Sequence, residues 1–372
     1  MIREAIQLSK PVIGDDEKQA VLSVLDSGIV AQGPKVRELE NAFAQYCGTE
    51  HAVALNSGTA AIHTALHAAE IGPGDSVITA PFTFIATANP ILMQGGNIKF
   101  ADIEPDTFNI DAQLLEGAYD PSVKAILPVD LYGQPCDYDA ISNFAEQYEL
   151  TVIEDACQSV GAEYKGRKTG SLGHIACFSL YATKNIMSAE GGVITTDSEE
   201  VAKDARSFRQ HGMDMDGKYD YIQLGYNYRT TDILAAVALA QLAKTDRFNE
   251  ARAANACRLA AGIRRIPGLV VPIVKPDRLS AFHQFTIRIT EDFSVSREEF
   301  ISRMSAKGIT TAIYYPRPLH LYPHMARLGY NKGDFPIAEQ AAKEVVSLPV
   351  HPTLTDSEIE YMIETIKDIA YA

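Results

Sequence analysis

Between residues 51 and 196, short apolar and β-branched runs alternate with stretches of helical spacing. The strand candidates are His51-Ala-Val-Ala-Leu55, Ser76-Val-Ile-Thr79, Asn97-Ile-Lys-Phe100, the run 124–129 and Thr151-Val-Ile-Glu154, with Gly72-Pro-Gly-Asp75 and Gly95-Gly96 punctuating the turns between them. That alternation reads as a sheet covered by helices, so the pattern predicts an α/β fold: a three-layer sandwich around a mostly parallel sheet. From Thr230 the pattern becomes long and helical, first over 232–242 and then over a charged segment, 246–265, closed by Pro267-Gly268. The remainder mixes a strand, Phe285-Thr-Ile-Arg-Ile289, with helices predicted at 296–307 and 355–369. The boundary is expected near residue 245, separating a large α/β domain (1–245, with an N-terminal arm over 1–30) from a smaller C-terminal α/β domain (246–372). No internal repeat is visible.

Length and composition change this picture little but exclude several functions. A chain of 372 residues exceeds the roughly 250–300 that one core supports, which agrees with two domains. A formal charge of −15 and a pI near 5.1 deny it the basic face that nucleic acid or an anionic membrane requires. The five cysteines, Cys47, Cys136, Cys157, Cys177 and Cys257, are odd in number and never in a Cys-x-x-Cys pair, the usage of a reducing compartment. The start, Met1-Ile-Arg-Glu-Ala-Ile6, has no long apolar signal core, and no stretch approaches the roughly 20 apolar residues that span a bilayer. A cytoplasmic protein without a membrane partner is expected.

Three distant segments hold groups that suit one cofactor, pyridoxal phosphate. Schiff-base chemistry needs an amine for the aldehyde, a carboxylate for the pyridine nitrogen and a cradle for the phosphate. Lys184 follows a strand-like run, 176–181, and is bracketed by Glu190-Gly-Gly192; Asp155 ends an apolar run; Ser57-Gly58-Thr59 sits between an apolar run and a helical one. Gly58 permits a tight turn, after which the free N–H groups of a helix start attract an anion. Each feature also has an ordinary explanation. An isolated lysine is usually a solvated charge, a strand-terminal aspartate caps a turn, and Ser57 is a good helix N-cap. Ser57–Thr59 and Asp155 lie at the carboxyl ends of predicted strands, where ligands collect in open α/β sheets, and with Lys184 beside them this favours the site.

Asn56-Ser-Gly-Thr-Ala-Ala61, Pro128-Val-Asp-Leu-Tyr-Gly133, Ile153-Glu-Asp-Ala-Cys-Gln158, Phe178-Ser-Leu-Tyr-Ala-Thr-Lys-Asn185, Gly225-Tyr-Asn-Tyr-Arg229 and Tyr315-Pro-Arg-Pro-Leu-His320 resemble, in order, the motifs of the DegT/DnrJ/StrS sugar aminotransferases, which have the fold type I architecture of pyridoxal-phosphate enzymes. The resemblance spans nearly the whole chain. Two departures are Ala189 where the family usually has Gly and Cys157 where it has Ala. The resemblance implies that Lys184 binds the cofactor and moves the proton, that Asp155 bonds the pyridine nitrogen and Gln158 the phenolic oxygen, and that Phe84 stacks on the ring with Phe82 as the core alternative. It also implies phosphate contacts from Ser57, Gly58, Thr59 and Ser179 and from Asn227 of a second subunit, hence a homodimer. Arg229, Tyr314 and His320 match positions lining a sugar-nucleotide pocket. The implied reaction moves an amino group from an amino acid, glutamate, to a nucleotide-linked keto-sugar, with the UDP-linked 3-keto branch the closest in its C-terminal runs. Two alternatives stand beside it: a pyridoxal-phosphate sugar dehydratase, against which Lys184 speaks because that branch carries histidine there, and a non-catalytic regulatory relative.

Other patterns fail. His63-Thr-Ala-Leu-His67 lacks the glutamate of a zinc protease, and His320 with His324 lacks a third ligand. Gly161-Ala-Glu-Tyr-Lys-Gly-Arg167 does not end in the Lys-Ser/Thr of a P-loop, and no Gly-x-Gly-x-x-Gly occurs, so no metal and no nicotinamide or P-loop nucleotide is predicted.

Overall fold

The computed structural model describes residues 5–214, 217 and 219–372. Seven strands form the main sheet: β1 (His51–Leu55), β2 (Ser76–Thr79), β3 (Asn97–Phe100), β4 (Val123–Leu127), β5 (Thr151–Asp155), β6 (Ile175–Ser179) and β7 (Gly192–Thr196), in the order β1-β7-β6-β5-β4-β2-β3. All run parallel except β7, which is antiparallel to both β1 and β6. This is the mostly parallel α/β sheet read from the sequence. β4 stops at Leu127 rather than Val129 because Pro128 has no N–H to continue the ladder. The strand β7 is missed from sequence because it opens inside a Gly-Gly pair that reads as punctuation. Gly192 is required there, since a Cβ would lie 2.1 Å from the Ser57 carbonyl oxygen.

Side-chain alternation sends the two faces of the sheet into separate cores. Val53, Leu55, Ile175, Cys177 and Ile194 pack into one, under the helix Gly58–Ala68; Ala52, Ala54, Ala176, Phe178 and Val193 pack into the other, with Leu39 and Phe43 of the helix Pro34–Cys47. A third core is built on an antiparallel sheet of Leu269–Val270, Phe285–Ile289 and Val345–Leu348, covered by the helices Thr245–Ile263, Arg297–Ala306 and Asp356–Tyr371. The N-terminal segment crosses to this core through Ile6, which bridges to Ile309. The helix Pro336–Glu344 returns Ala338, Ala341 and Ala342 to the first. Among the described residues, no helix is long and apolar enough to cross a membrane.

Candidate active site

Four strand ends feed one cavity of about 490 Å³. β1 leads into Ser57, Gly58 and Thr59, β2 into Thr83 and Phe84, β5 ends at Asp155, and β6 ends at Ser179 before the turn that carries Lys184. Each of these residues lines the cavity, as do Gln158 and Tyr314. Because β1, β5 and β6 point the same way, three remote stretches deliver their terminal residues to one edge, as doubly wound sheets do.

Asp155 and its neighbour Glu154 separate by strand alternation. Asp155 faces the cavity, buried, and its Oδ2 accepts from the Thr87 hydroxyl at 2.7 Å while Oδ1 accepts from the Cys157 N–H at 3.2 Å. It forms no ion pair among the described residues. A buried carboxylate held only by neutral donors is costly unless a cation is supplied from elsewhere. Glu154 points to the other face, where it accepts backbone N–H groups from Gly170, Leu172 and Gly173; burial pushes its pKa up to about 8 against those bonds.

Lys184 stands in an irregular turn closed by its N–H bonding to the Tyr181 carbonyl at 2.9 Å. Part of its surface opens to the cavity, yet the protein around it desolvates the ammonium and lowers its pKa from the usual lysine value, with Cys157 and Asp155 pulling in the opposite direction. A larger neutral fraction makes the amine a better nucleophile and base.

Ser57 caps the helix Gly58–Ala68, accepting the Ala60 N–H at 3.1 Å, so the ordinary reading of that serine holds alongside its place in the cavity. Gly58 meets Ser179 so closely that a Cβ would sit 2.8 Å from the Ser179 Cβ and 3.2 Å from the Cys157 Sγ. The two aromatic candidates divide cleanly: Phe82 is core, 1 % exposed, and Phe84 is 53 % exposed at the cavity wall. Gln158 accepts the Tyr132 N–H at 3.0 Å and donates to the Tyr315 hydroxyl at 3.3 Å. The Tyr314 carbonyl accepts the Tyr132 hydroxyl.

Three predicted residues do not line this cavity. Asn227 is exposed, its carbonyl accepting from Asn56 Nδ2 at 3.3 Å. Arg229 donates to Gln210 Oε1 at 3.2 Å. His320 is buried against Phe335, with Nε2 3.2 Å from Glu339 Oε1. In turn the structure adds Thr87, Tyr315 and His283, which sequence reasoning missed. Thr87 lies inside an apolar helix, Ile85–Met93, and His283 two residues before the strand Phe285–Ile289, so neither position carries a motif of its own.

The sequence pattern of the DegT/DnrJ/EryC1/StrS aminotransferase family matches residues 11–367. A spore coat polysaccharide biosynthesis protein of Bacillus subtilis, SpsC, is 40% identical over 97% of this chain and 96% of its own length. The GDP-perosamine synthase of Caulobacter vibrioides is 39% identical over 98% of both chains. Among solved structures, the putative sugar aminotransferase Spr1654 of Streptococcus pneumoniae, determined in PLP and PMP forms, superposes with a TM-score of 0.92 at 30% identity, covering 98% of each chain.

Proposed function

Since this chain belongs to the DegT/DnrJ/EryC1/StrS aminotransferase family, we propose that it takes an amino group from an amino acid, L-glutamate, and delivers it to the keto carbon of a nucleotide-linked sugar, with a UDP-linked 3-keto sugar as the first candidate on the resemblance of its C-terminal runs. The carrying observation is the convergence of Lys184, Asp155 and the Ser57–Thr59 turn on one cavity. The enzyme is a pyridoxal-phosphate aminotransferase, and the residues fit that cofactor. Gly58 keeps open a cradle that a Cβ would fill, and Asp155 is a buried acid with no ion pair among the described residues, a place that a protonated ring nitrogen would take.

When bound, pyridoxal phosphate supplies the aldehyde that captures the amine and a ring that withdraws electrons from the substrate carbon. The hydroxyls of Ser57, Thr59 and Ser179 and the start of the helix Gly58–Ala68, whose N–H groups and dipole favour an anion, would hold its phosphate. Asp155 keeps the proton on the ring nitrogen through a charge-assisted bond contributing about 1.5–3 kcal/mol. Gln158 would bond the phenolic oxygen, and Phe84 would stack on the ring. Lys184 Nζ, whose desolvation favours the neutral amine, would take the proton from the substrate carbon and pass it on from the same atom. Tyr314 lines the sugar side of the cavity.

Two copies share the site in this reading, with Asn227 reaching the phosphate of the other copy and Arg229 the sugar-nucleotide side. Support comes from the exposure of Asn227 outside the cavity of its own chain and from the exposed apolar residues beside it, Tyr221, Ile222 and Leu224. Mixing inactive Lys184→Ala and Asn227→Ala proteins under subunit exchange should restore activity that neither parent has. No recovery in verified mixed dimers would refute the shared site.

The whole reading is tested by visible absorbance of the purified protein, which should report a lysine-bound cofactor and lose that signal in Lys184→Ala. Incubation with glutamate and a panel of nucleotide keto-sugars, read by product mass, identifies the acceptor. Persistence of the signal without Lys184 would sink the assignment.

A further inference from the structure

Lys184 is not on a strand or a helix, and a lysine stem is long and flexible, so something other than regular structure has to fix where the amine enters the cavity. The residue that follows it is buried and fully engaged. Asn185 Nδ2 donates to the Ala281 carbonyl at 2.7 Å and to Asn249 Oδ1 at 2.8 Å, while Oδ1 lies 3.1 Å from His283 Nδ1. A carbonyl can only accept, so the amide nitrogen faces Ala281 and the amide oxygen faces the imidazole. His283 is therefore the donor, from Nδ1–H. Asn249 in turn donates Nδ2 to the Val160 carbonyl at 2.8 Å, two residues beyond Gln158. One chain of hydrogen bonds thus links the Lys184 turn to the segment carrying Asp155 and Gln158, to the helix Thr245–Ile263 and to the approach of the strand Phe285–Ile289.

We propose that Asn185 and His283 are positioning residues for Lys184: the Nδ1–H of His283, locked onto the Asn185 amide, sets the lysine turn in register with the Asp155–Gln158 segment. Resting on the aminotransferase reading above, this assigns His283 no direct proton transfer, although it lines the cavity. The charged groups facing His283 are Lys184 and Arg252, and burial together with those two charges holds its pKa well below the usual histidine value. The neutral ring keeps one donor only, and Asn185 Oδ1 takes it. Displacing a reacting group by as little as 1 Å can cost on the order of 100-fold in rate, so loss of this register is read in turnover more than in substrate binding.

Two substitutions at His283 separate the roles of its nitrogens. In H283N the amide nitrogen stands near the place of Nδ1 and keeps the donation to Asn185; in H283Q the amide reaches towards the place of Nε2 and loses it. The holoenzymes are compared by kcat, KM for glutamate, pH titration of the bound-cofactor absorbance and thermal melting. H283N should stay within about 3-fold of the parent, while H283Q should lose about 10- to 100-fold in kcat with KM within about 2-fold and a displaced absorbance titration. N185A, which removes the acceptor, should reproduce the H283Q phenotype while retaining cofactor. Equal losses in H283N and H283Q, or no loss in either, would overturn the proposal, as would losses that follow melting temperature alone. Absence of the lysine-bound absorbance in the parent protein would fail the underlying reading instead.

Discussion

Thr87 shows how one neutral side chain bears on a charged centre. Its hydroxyl donates to Asp155 Oδ2 at 2.7 Å and stands 3.0 Å from the Thr83 hydroxyl one helical turn earlier, so two buried hydroxyls prop the carboxylate from the segment that also presents Phe84. A hydrogen bond to a charged group contributes about 1.5–3 kcal/mol, and tenfold in binding corresponds to about 1.4 kcal/mol. Thr87→Val, nearly isosteric but without the donor, should weaken retention of pyridoxal phosphate by about tenfold, measured by equilibrium dialysis. An unchanged dissociation constant would mean that Cys157 N–H alone orients Asp155.

The junction of β1 with the helix Gly58–Ala68 combines two demands on one turn. The helix needs its N-terminal N–H groups satisfied, which Ser57 does in part, and the phosphate site needs the remaining groups approachable, which the bare backbone of Gly58 allows. Gly192 of β7 closes the same junction from the side. Gly58→Ala should therefore leave the helix intact, since alanine is the better helix former, yet displace Ser179 or Cys157 and reduce cofactor affinity by at least tenfold. Circular dichroism and cofactor titration of the same sample check both halves. Normal affinity in the alanine variant would remove the cradle argument.

Across the whole molecule, buried histidines define an acid limit. Burial first, then the charge of His67, lowers the pKa of His63 to about 4; burial and Arg252 lower His351 to about 4. Both are protonated more readily in the unfolded chain, so their neutral forms favour the fold above about pH 6.5 and that contribution is lost as pH falls through about 4. Each is worth roughly 2–3 kcal/mol over that window. Glu17 acts further down: burial alone would raise its carboxyl, but bonds from Lys244, Gly14 and Gln241 overcome this and hold it at about 2. Thermal melts should show stability declining between pH 6.5 and 4, with a shallower decline in a variant carrying His63→Gln and His351→Gln. An unaltered slope in that variant would assign the acid limit to other groups. His63 also bonds the Tyr228 hydroxyl at 2.9 Å, next to Asn227.

Local chemistry was enough to announce the parallel strands, because apolar β-branched runs closed by glycine and proline have few other uses. It was enough to place Asp155 and Ser57–Thr59 at strand ends as well, because those positions follow directly from the strands that precede them, whereas Lys184 lies in a turn five residues beyond its strand. Phe82 and Phe84 could not be told apart by type, and only packing put one in the core and the other on the cavity wall. Thr87, His283 and the Asn185–Asn249 link were invisible for a related reason: their partners lie 68, 98 and 64 positions away, and a hydrogen bond across such a separation leaves no mark on either neighbourhood. His320 was a pocket candidate only through the resemblance, and the fold places it against Phe335 and Glu339. Residue type and spacing name the reactive groups of this chain; which of them meet, and how rigidly, is settled by long-range burial, which no local run encodes.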